Sequence, residues 1–220
     1  MTADRYTWLS EAAVARGYAA VIVEPALEWL TFPAGSSNLV PARYVTLPHA
    51  LAALDYARAK WPGARKNIVA VGHSLGAAIV LELLDPQEAK RNPNNRSPSD
   101  FAGVDDLAAA IIIGTSLQAK GGSFELPYRS EDRSLHSPAS TRLLFIAGEN
   151  DGMATPQLMG KTAARYARPP RLEVVPGANH LNWSYGRGPM DRPDLDRPAT
   201  ISADQQIART LDIMWEFLSH

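Results

Sequence analysis

Five short apolar runs recur along this chain, separated by segments with helical spacing or turn-forming residues. The runs cover residues 19–23, 67–72, 107–113, 142–147 and 172–175. None of them shows the polar–apolar alternation of a strand with one wet face, and such runs are typical of strands buried on both faces. Buried strands separated by helices predict a mostly parallel sheet covered on both sides. The sequence therefore predicts an α/β, doubly wound fold.

The segments between these runs predict helices and one cap-like loop. Helices are expected over residues 4–17, about 47–60, and 75–84. Thr155 and Pro156 have the backbone preferences of an N-cap and a first helical residue. Ser202 and Gln205 predict the capping box of a final helix. Residues 117–140 contain several Gly and Pro residues and little periodicity, so we expect a short cap-like loop near the active-site edge within a single domain spanning 1–220.

Residues 72–76, Gly-His-Ser-Leu-Gly, lie where the second apolar run gives way to a helical one. A G-x-S-x-G pentapeptide between a strand and a helix is typical of a nucleophile elbow, which exposes the serine hydroxyl at the carboxyl end of the strand. The turn is so sharp that side chains at positions 72 and 76 are expected to clash, which accounts for the two glycines. Ser74 is therefore the predicted nucleophile.

A serine nucleophile needs an adjacent base, and the base needs an orienting group. In parallel α/β sheets reactive groups gather at the carboxyl ends of the strands. The fourth run is followed by Gly-Glu-Asn-Asp-Gly at 148–152, and the fifth by Pro-Gly-Ala-Asn-His at 176–180. These positions predict His180 as the base and Asp151 as the acid, with Glu149 as the alternative acid.

With these three motifs in this order, the chain resembles the α/β-hydrolase-fold esterases and lipases, including their dienelactone-hydrolase-like branch. The resemblance covers the chain from residue 4 onward. It implies a triad of Ser74, His180 and Asp151, acyl transfer through an acyl-enzyme, and no cofactor. It also implies that the main-chain N–H of Leu75 is an oxyanion-hole donor. Dienelactone hydrolases favour a cysteine nucleophile, and because this chain contains no Cys, serine esterases are the closer comparison.

The predicted function is hydrolysis of carboxylic esters with small or medium acyl chains, because the segment 117–140 is too short for a large lid domain. A small-molecule ester is the predicted partner. A thioesterase or acyltransferase would use the same triad with a different leaving or accepting group. The non-catalytic alternative is an impaired hydrolase-fold remnant or a binding protein, since function resides in the site and not in the fold.

Four further residues are candidates for the substrate pocket: His73, Thr115, Trp183 and Tyr185. Each also has a structural interpretation. The side chain of His73 is expected to face away from the nucleophile and to support the elbow. Trp183 and Tyr185 either line the pocket or pack beneath the loop that carries the base, and Thr115 either faces the site or packs at the end of its strand.

Composition and charge restrict which partners, which location and which metal sites can be expected. The 22 basic and 23 acidic residues give a net charge of −1 without a basic stripe, so no nucleic-acid partner is predicted. No apolar run is long enough to span a bilayer, and the start lacks a signal-peptide pattern. We therefore expect a cytoplasmic location, with secretion left open.

Without Cys there is no thiolate ligand for a metal ion. Asp191, Asp194 and Asp196 lack the Gly and terminal Glu of a calcium loop, so these aspartates are predicted to form a solvated surface loop and no metal site.

The resemblance also makes a prediction about the amino terminus. Members of the family carry a strand before the first helix, and this strand ends in a His-Gly-type loop that supplies a second oxyanion donor. Here the helix begins almost at Met1, which implies an N-terminally abbreviated chain that lacks these strands and this loop. Two arrangements are then expected for runs 19–23 and 67–72: direct pairing about 4.8 Å apart, or a gap of about 10 Å.

Overall fold

The computed structural model describes residues 3–23, 46–91, 103–116, 134–186 and 193–220. Its helices are α1 (Thr7–Ala15), α2 (Thr46–Lys60), α3 (Leu75–Leu84), α4 (Pro86–Arg91), α5 (Pro156–Ala163) and α6 (Ala203–Ser219). Its strands are β1 (Ile68–His73), β2 (Leu107–Ile113), β3 (Arg142–Gly148) and β4 (Arg171–Val175). Short 3₁₀ helices cover Ala3–Tyr6, Pro62–Asn67 and Leu181–Trp183. Four of the five predicted strands are therefore present.

The four strands form one parallel sheet in the order β1-β2-β3-β4. The central strands β2 and β3 carry an almost continuous set of buried residues, as expected for strands covered on both faces. Because all strands run in the same direction, the loops that follow them meet at one edge of the sheet.

Helices cover both faces of this sheet, which confirms the doubly wound α/β prediction. On one face, side chains of α2, α3 and α5 pack with Ala110 and Ile112 of β2 and Phe145 of β3. On the other face, α1 and α6 pack against Ile111 and Ile146 of the same two strands. The two faces alternate along each strand, so a fully apolar sequence is required in both.

The helix boundaries follow the predicted capping chemistry. Thr155 is the N-cap of α5, and its side chain accepts the main-chain N–H of Leu158. Ser202 and Gln205 form the predicted capping box of α6, with both reciprocal hydrogen bonds present. The N-cap of α5 and the capping box of α6 both satisfy main-chain N–H groups that have no acceptor inside the helix.

The predicted strand over 19–23 is wrong. These residues adopt no regular secondary structure, and Val21, Ile22 and Val23 are each about 40% exposed. The direct pairing expected beside β1 does not occur, since among the described residues β1 pairs with β2 alone. The arrangement with a gap of about 10 Å stays a prediction. An apolar run becomes a strand only where another strand satisfies its main-chain hydrogen bonds, and in the described part of the chain none pairs with this run.

The cap-like loop predicted at about 117–140 lies partly outside the described residues. Residues 134–141 are described and lead into the amino-terminal end of β3, which is the edge of the sheet opposite the carboxyl ends of the strands. Here Leu135 forms an isolated bridge with Tyr166, and the main-chain N–H of His136 donates to Asp85 after α3. Residues 117–133 are not among those described.

Candidate active site

The turn between β1 and α3 holds Ser74 in an unusual backbone conformation. Ser74 has φ 54° and ψ −116°, and it is the single residue other than glycine with a positive φ in the described part of the chain. L-residues adopt this region at an energetic cost, and such strain is concentrated at functional sites. A side chain at Gly72 would overlap the main-chain carbonyl of Gly76, so position 72 requires glycine.

The expectation for the second glycine of this turn is wrong. A Cβ built on Gly76 has no heavy atom within 4 Å among the described residues. The steric conflict is therefore one-sided: the main chain at position 76 occupies the space that a side chain at position 72 would need.

Ser74, His180 and Asp151 meet at the carboxyl ends of three different strands. His180 Nε2 lies 3.0 Å from Ser74 Oγ, and His180 Nδ1 lies 2.9 Å from Asp151 Oδ2. Both distances are those of hydrogen bonds. Asp151 is 0% exposed and His180 is 3% exposed, while Ser74 is partly exposed. The three side chains thus form a continuous hydrogen-bonded chain whose serine end faces the surface.

The carboxylate of Asp151 is held by its own loop. Its Oδ1 accepts the main-chain N–H groups of Met153 at 2.8 Å and Ala154 at 2.6 Å, and Oδ2 is left for His180. Glu149, the alternative acid, instead accepts the main-chain N–H of Gly177 at 2.8 Å through Oε2. Of the two carboxylates, Asp151 is the one that contacts the imidazole.

Gly114, directly after β2, packs against this hydrogen-bonded pair. A Cβ at this position would lie 3.2 Å from Asp151 Oδ2, 3.3 Å from His180 Nδ1 and 3.3 Å from Trp183. Its φ of +56° is also a conformation that favours glycine. Gly114 was not among the predicted site residues, although a glycine at the carboxyl end of β2 was available as a signal.

His73 packs among the side chains of Tyr6, His180 and Trp183. Its Nδ1 is 3.0 Å from the hydroxyl of Tyr6, and its ring lies 4.8 Å from that of His180 and 5.6 Å from that of Trp183, measured between centroids. Burial lowers the pKa of His73 well below its usual range, and repulsion by the charge of Arg5, and by that of His180 whenever its imidazole is protonated, lowers it further against the opposing effect of the His180 main chain. A neutral imidazole therefore packs against the ring of His180.

Of the other pocket candidates, Trp183 packs beneath the loop and Tyr185 lies at the surface. Trp183 is 0% exposed, and its Nε1 donates to Thr210 Oγ1 at 2.8 Å. Tyr185 is 41% exposed. Thr115 is partly exposed after β2. The full burial of Trp183 contradicts a pocket-lining role and supports its structural alternative.

The first turns of the chain pack on the segment that follows the predicted base. Trp8 is 4% exposed and donates its Nε1–H to the carbonyl of Trp183 at 2.9 Å. The guanidinium of Arg5 donates to Ser184 Oγ at 2.8 Å and to the carbonyl of Tyr185 at 3.2 Å. The N–H of Tyr185 donates back to the carbonyl of Arg5. The amino terminus of α1 therefore supports the loop that presents the imidazole.

The prediction of a solvated surface loop is wrong for Asp196. Its carboxylate accepts main-chain N–H groups from Gly152, His180 and Leu181 at 3.0–3.1 Å. Asp191 lies outside the described residues.

No cluster of His, Asp or Glu in the described ranges is arranged to hold a metal ion. Among those same residues, no helix has the length and hydrophobicity needed to cross a bilayer.

Comparison with known proteins gives structural matches alone: no protein-family model and no curated protein matches the sequence. A provisionally assigned hydrolase from Agrobacterium vitis S4 is similar with a TM-score of 0.58 and 15% identity, over 99% of this chain and 83% of that one. The esterase domain of a Rhodothermus marinus protein is similar with a TM-score of 0.51 and 14% identity, over 98% and 79%.

A third match is a protein of unknown function from Agrobacterium tumefaciens, provisionally described as an α/β-hydrolase. It has a TM-score of 0.53 and 15% identity, over 97% of this chain and 76% of that one. At such identities the likeness concerns the fold and not the activity. Together with the parallel sheet flanked by helices, these matches establish that the chain has the α/β-hydrolase fold.

Proposed function

We propose that this protein is a serine hydrolase that cleaves carboxylic esters of small or medium acyl chains through an acyl-enzyme. The observation that carries the proposal is the hydrogen-bonded chain from Ser74 Oγ through His180 to Asp151. A serine is a weak nucleophile unless a base accepts its proton, and this geometry supplies both the base and the group that orients it.

In the proposed mechanism, Ser74 Oγ attacks the acyl carbonyl while His180 Nε2 takes the hydroxyl proton. Because Asp151 Oδ2 accepts a hydrogen bond at Nδ1, the tautomer that presents an unprotonated Nε2 to the serine is favoured. The N–H of Leu75, at the start of α3, donates to the developing oxyanion. His180 then returns the proton to the leaving alcohol, and water releases the acid by the same steps in reverse order.

The surroundings of the site support this assignment of roles. Oδ1 of Asp151 accepts two main-chain N–H groups, which fixes the carboxylate plane toward the imidazole. The positive φ of Ser74 is the strained conformation expected at an exposed nucleophile. One structural neighbour is an esterase domain, which is consistent with ester hydrolysis. Placement in the dienelactone-hydrolase-like branch rests on the three sequence motifs alone.

The test is turnover of p-nitrophenyl esters of increasing acyl length, together with labelling by a fluorophosphonate probe. We expect Ser74→Ala to abolish labelling and to lower kcat by about 10⁴-fold or more. Ser140→Ala is the matched control, because that hydroxyl donates to the carbonyl of Asp105, which precedes β2. Ser140→Ala is expected to retain wild-type labelling. Labelling that survives Ser74→Ala would contradict the proposal.

One thioester in the same panel separates the alternatives. Turnover of esters with declining rates at long chain lengths agrees with the proposal. Turnover confined to the thioester would indicate a thioesterase instead. A folded protein that neither turns over any substrate nor reacts with the probe would indicate a binding protein or an impaired remnant.

A further inference from the structure

The carboxylate of Asp196 connects the two loops that carry the predicted acid and base. Oδ1 accepts the N–H of Gly152 at 3.1 Å and that of His180 at 3.1 Å, while Oδ2 accepts the N–H of Leu181 at 3.0 Å. Oδ1 also accepts the N–H of Arg197 at 3.0 Å. Hydrogen bonds to an ionised acceptor are roughly twice as strong as neutral ones. One side chain therefore restrains both loops at once.

The bonds fall on residues that determine where the reacting groups lie. Gly152 directly follows Asp151, and the N–H of His180 belongs to the predicted base itself. Asp151 and His180 are separated by 29 positions in sequence, so the distance between them depends on contacts between their loops. Asp196 supplies such a contact from a third segment.

The main chain around Asp196 is packed against the same loops. A Cβ at Gly152 would overlap the carbonyl of Leu195 and lie 3.1 Å from the Cα of Asp196. Asn179 donates its side-chain N–H to the carbonyl of Arg197 at 3.0 Å, and its main-chain N–H to Gln206 at 3.0 Å. These contacts keep the carboxylate of Asp196 aligned with its three partner amides outside its own segment.

We propose that Asp196 is a positioning residue: it sets the distance between the Asp151 carboxylate and the His180 imidazole by binding the main chain of both loops. This inference rests on the proposed function. The role requires an acceptor on both carboxylate oxygens, since the two oxygens face N–H donors of different residues. An amide in the same place would direct an NH₂ group toward one of these donors, so an isosteric change breaks part of the arrangement.

The primary test compares Asp196→Asn with Asp85→Asn. Asp85 is a matched control because its carboxylate also accepts main-chain N–H groups, from Gln87 and His136, at the far end of α3. It is the more buried of the two, at 1% exposed, while Asp196 is partly exposed. We expect Asp196→Asn to lower the kcat for p-nitrophenyl acetate by about 10–100-fold, since small displacements of reacting groups have effects of this size. Its KM should stay within about twofold of wild type.

Asp85→Asn is expected to lower the Tm while the kcat of the folded protein stays within about twofold of wild type. If Asp196→Asn fails to fold, Asp196→Glu replaces it, because the longer side chain keeps the charge but moves the carboxylate off its partners. The inference would be overturned if either Asp196 variant folded and had the wild-type kcat and labelling rate. Equal losses in the Asp196 and Asp85 variants would also overturn it.

An independent readout is the ¹H NMR signal of the His180 Nδ1 proton, assigned by its loss in His180→Gln. We expect a downfield resonance in the wild type that broadens or shifts in Asp196→Asn and persists in Asp85→Asn. An unchanged resonance in Asp196→Asn would overturn the inference even if the wild type hydrolyses no ester. Failure of the positioning role is thus distinguishable from failure of the proposed function.

Discussion

Residues 19–23 and strand β2 have nearly the same kind of sequence and opposite environments. The first run is Ala-Ala-Val-Ile-Val, and the second, Leu107–Ile113, is Leu-Ala-Ala-Ala-Ile-Ile-Ile. Ile22 is 41% exposed without regular structure, whereas Ile112 is 0% exposed between two paired strands. The difference shows that an apolar run specifies a tendency to be buried, while the neighbouring strands decide whether it enters a sheet.

The largest expected effect is on the free energy of unfolding, and it compares β2 with residues 19–23 directly. Ile112→Ala removes buried methyl and methylene groups, so we expect a loss of about 2–5 kcal/mol in the free energy of unfolding. Ile22→Ala removes the same atoms from an exposed position and is expected to change it by about 0.5 kcal/mol or less. Urea denaturation of both variants checks the pair. A cost for Ile22→Ala as large as that for Ile112→Ala would contradict the exposed placement of the run.

The next effect concerns the turn at the end of β1, the strand that pairs on one side alone within the described sheet. Gly72→Ala places a methyl group on the main chain of Gly76, so we expect about 1–3 kcal/mol of destabilisation or more, and loss of fluorophosphonate labelling. Gly76→Ala is the matched control: its Cβ has open space, and alanine favours the helix. Thermal unfolding and labelling of both variants check the asymmetry, and equal destabilisation would refute it.

A smaller effect on the free energy of unfolding is expected in α1, and it distinguishes this helix from the exposed residues 19–23 that follow it. Trp8→Phe keeps most of the buried ring but removes the N–H that the carbonyl of Trp183 accepts. An unsatisfied buried carbonyl costs about 1–3 kcal/mol. We therefore expect a destabilisation in this range, measured by urea denaturation, although α1 and residues 19–23 are adjacent in sequence. If Trp8→Phe were as neutral as Ile22→Ala, α1 would be as weakly attached as the run after it.

The smallest effect is the pH dependence contributed by His73. Burial keeps its pKa low in the folded protein, so the unfolded chain binds a proton near the usual value of about 6.5 while the folded chain does not. Stability is therefore fully present above this value and falls as the pH decreases from it, by at most about 1.4 kcal/mol per pH unit. The groups that contact this ring or shift its pKa are unchanged in His73→Gln. They are Tyr6, His180, Trp183 and Arg5.

His73→Gln is expected to remove this part of the slope. Urea denaturation of the wild type and the variant between about pH 7 and about pH 5 measures it, and the difference between the two curves isolates His73. Parallel curves would mean that His73 takes up a proton in the folded protein as readily as in the unfolded chain.

Much of the fold was predictable because the determinants are local. The sequence pattern identified β2 and α3 with the same bounds that the structure has, and the capping residues Thr155 and Ser202 at their helices. Buried strands and helix caps depend on residues within a few positions of one another. The three motifs that contain Ser74, Asp151 and His180 were also recognisable, since each directly follows a predicted strand.

The environment of those residues was not predictable in the same way. Asp196 is 44 positions from Gly152 and 16 from His180, and its bonds are to main-chain N–H groups that carry no sequence signature. The fate of residues 19–23 likewise depends on which strand lies beside them. Side-chain contacts with a distant main chain, and the choice of strand partners, arise from the assembled structure alone.

The bonds between the first turns and the segment after His180 also have a consequence for the order of folding. Trp8 and Trp183 are 175 positions apart, and Arg5 and Ser184 are 179 apart. Contacts between such distant positions require closure of a very long loop, which slows their formation relative to local structure. During synthesis the turns around Arg5 and Trp8 leave the ribosome long before their partners, so we expect the elbow strand and helix to form first and the imidazole loop to be fixed only after the segment around Ser184 has emerged.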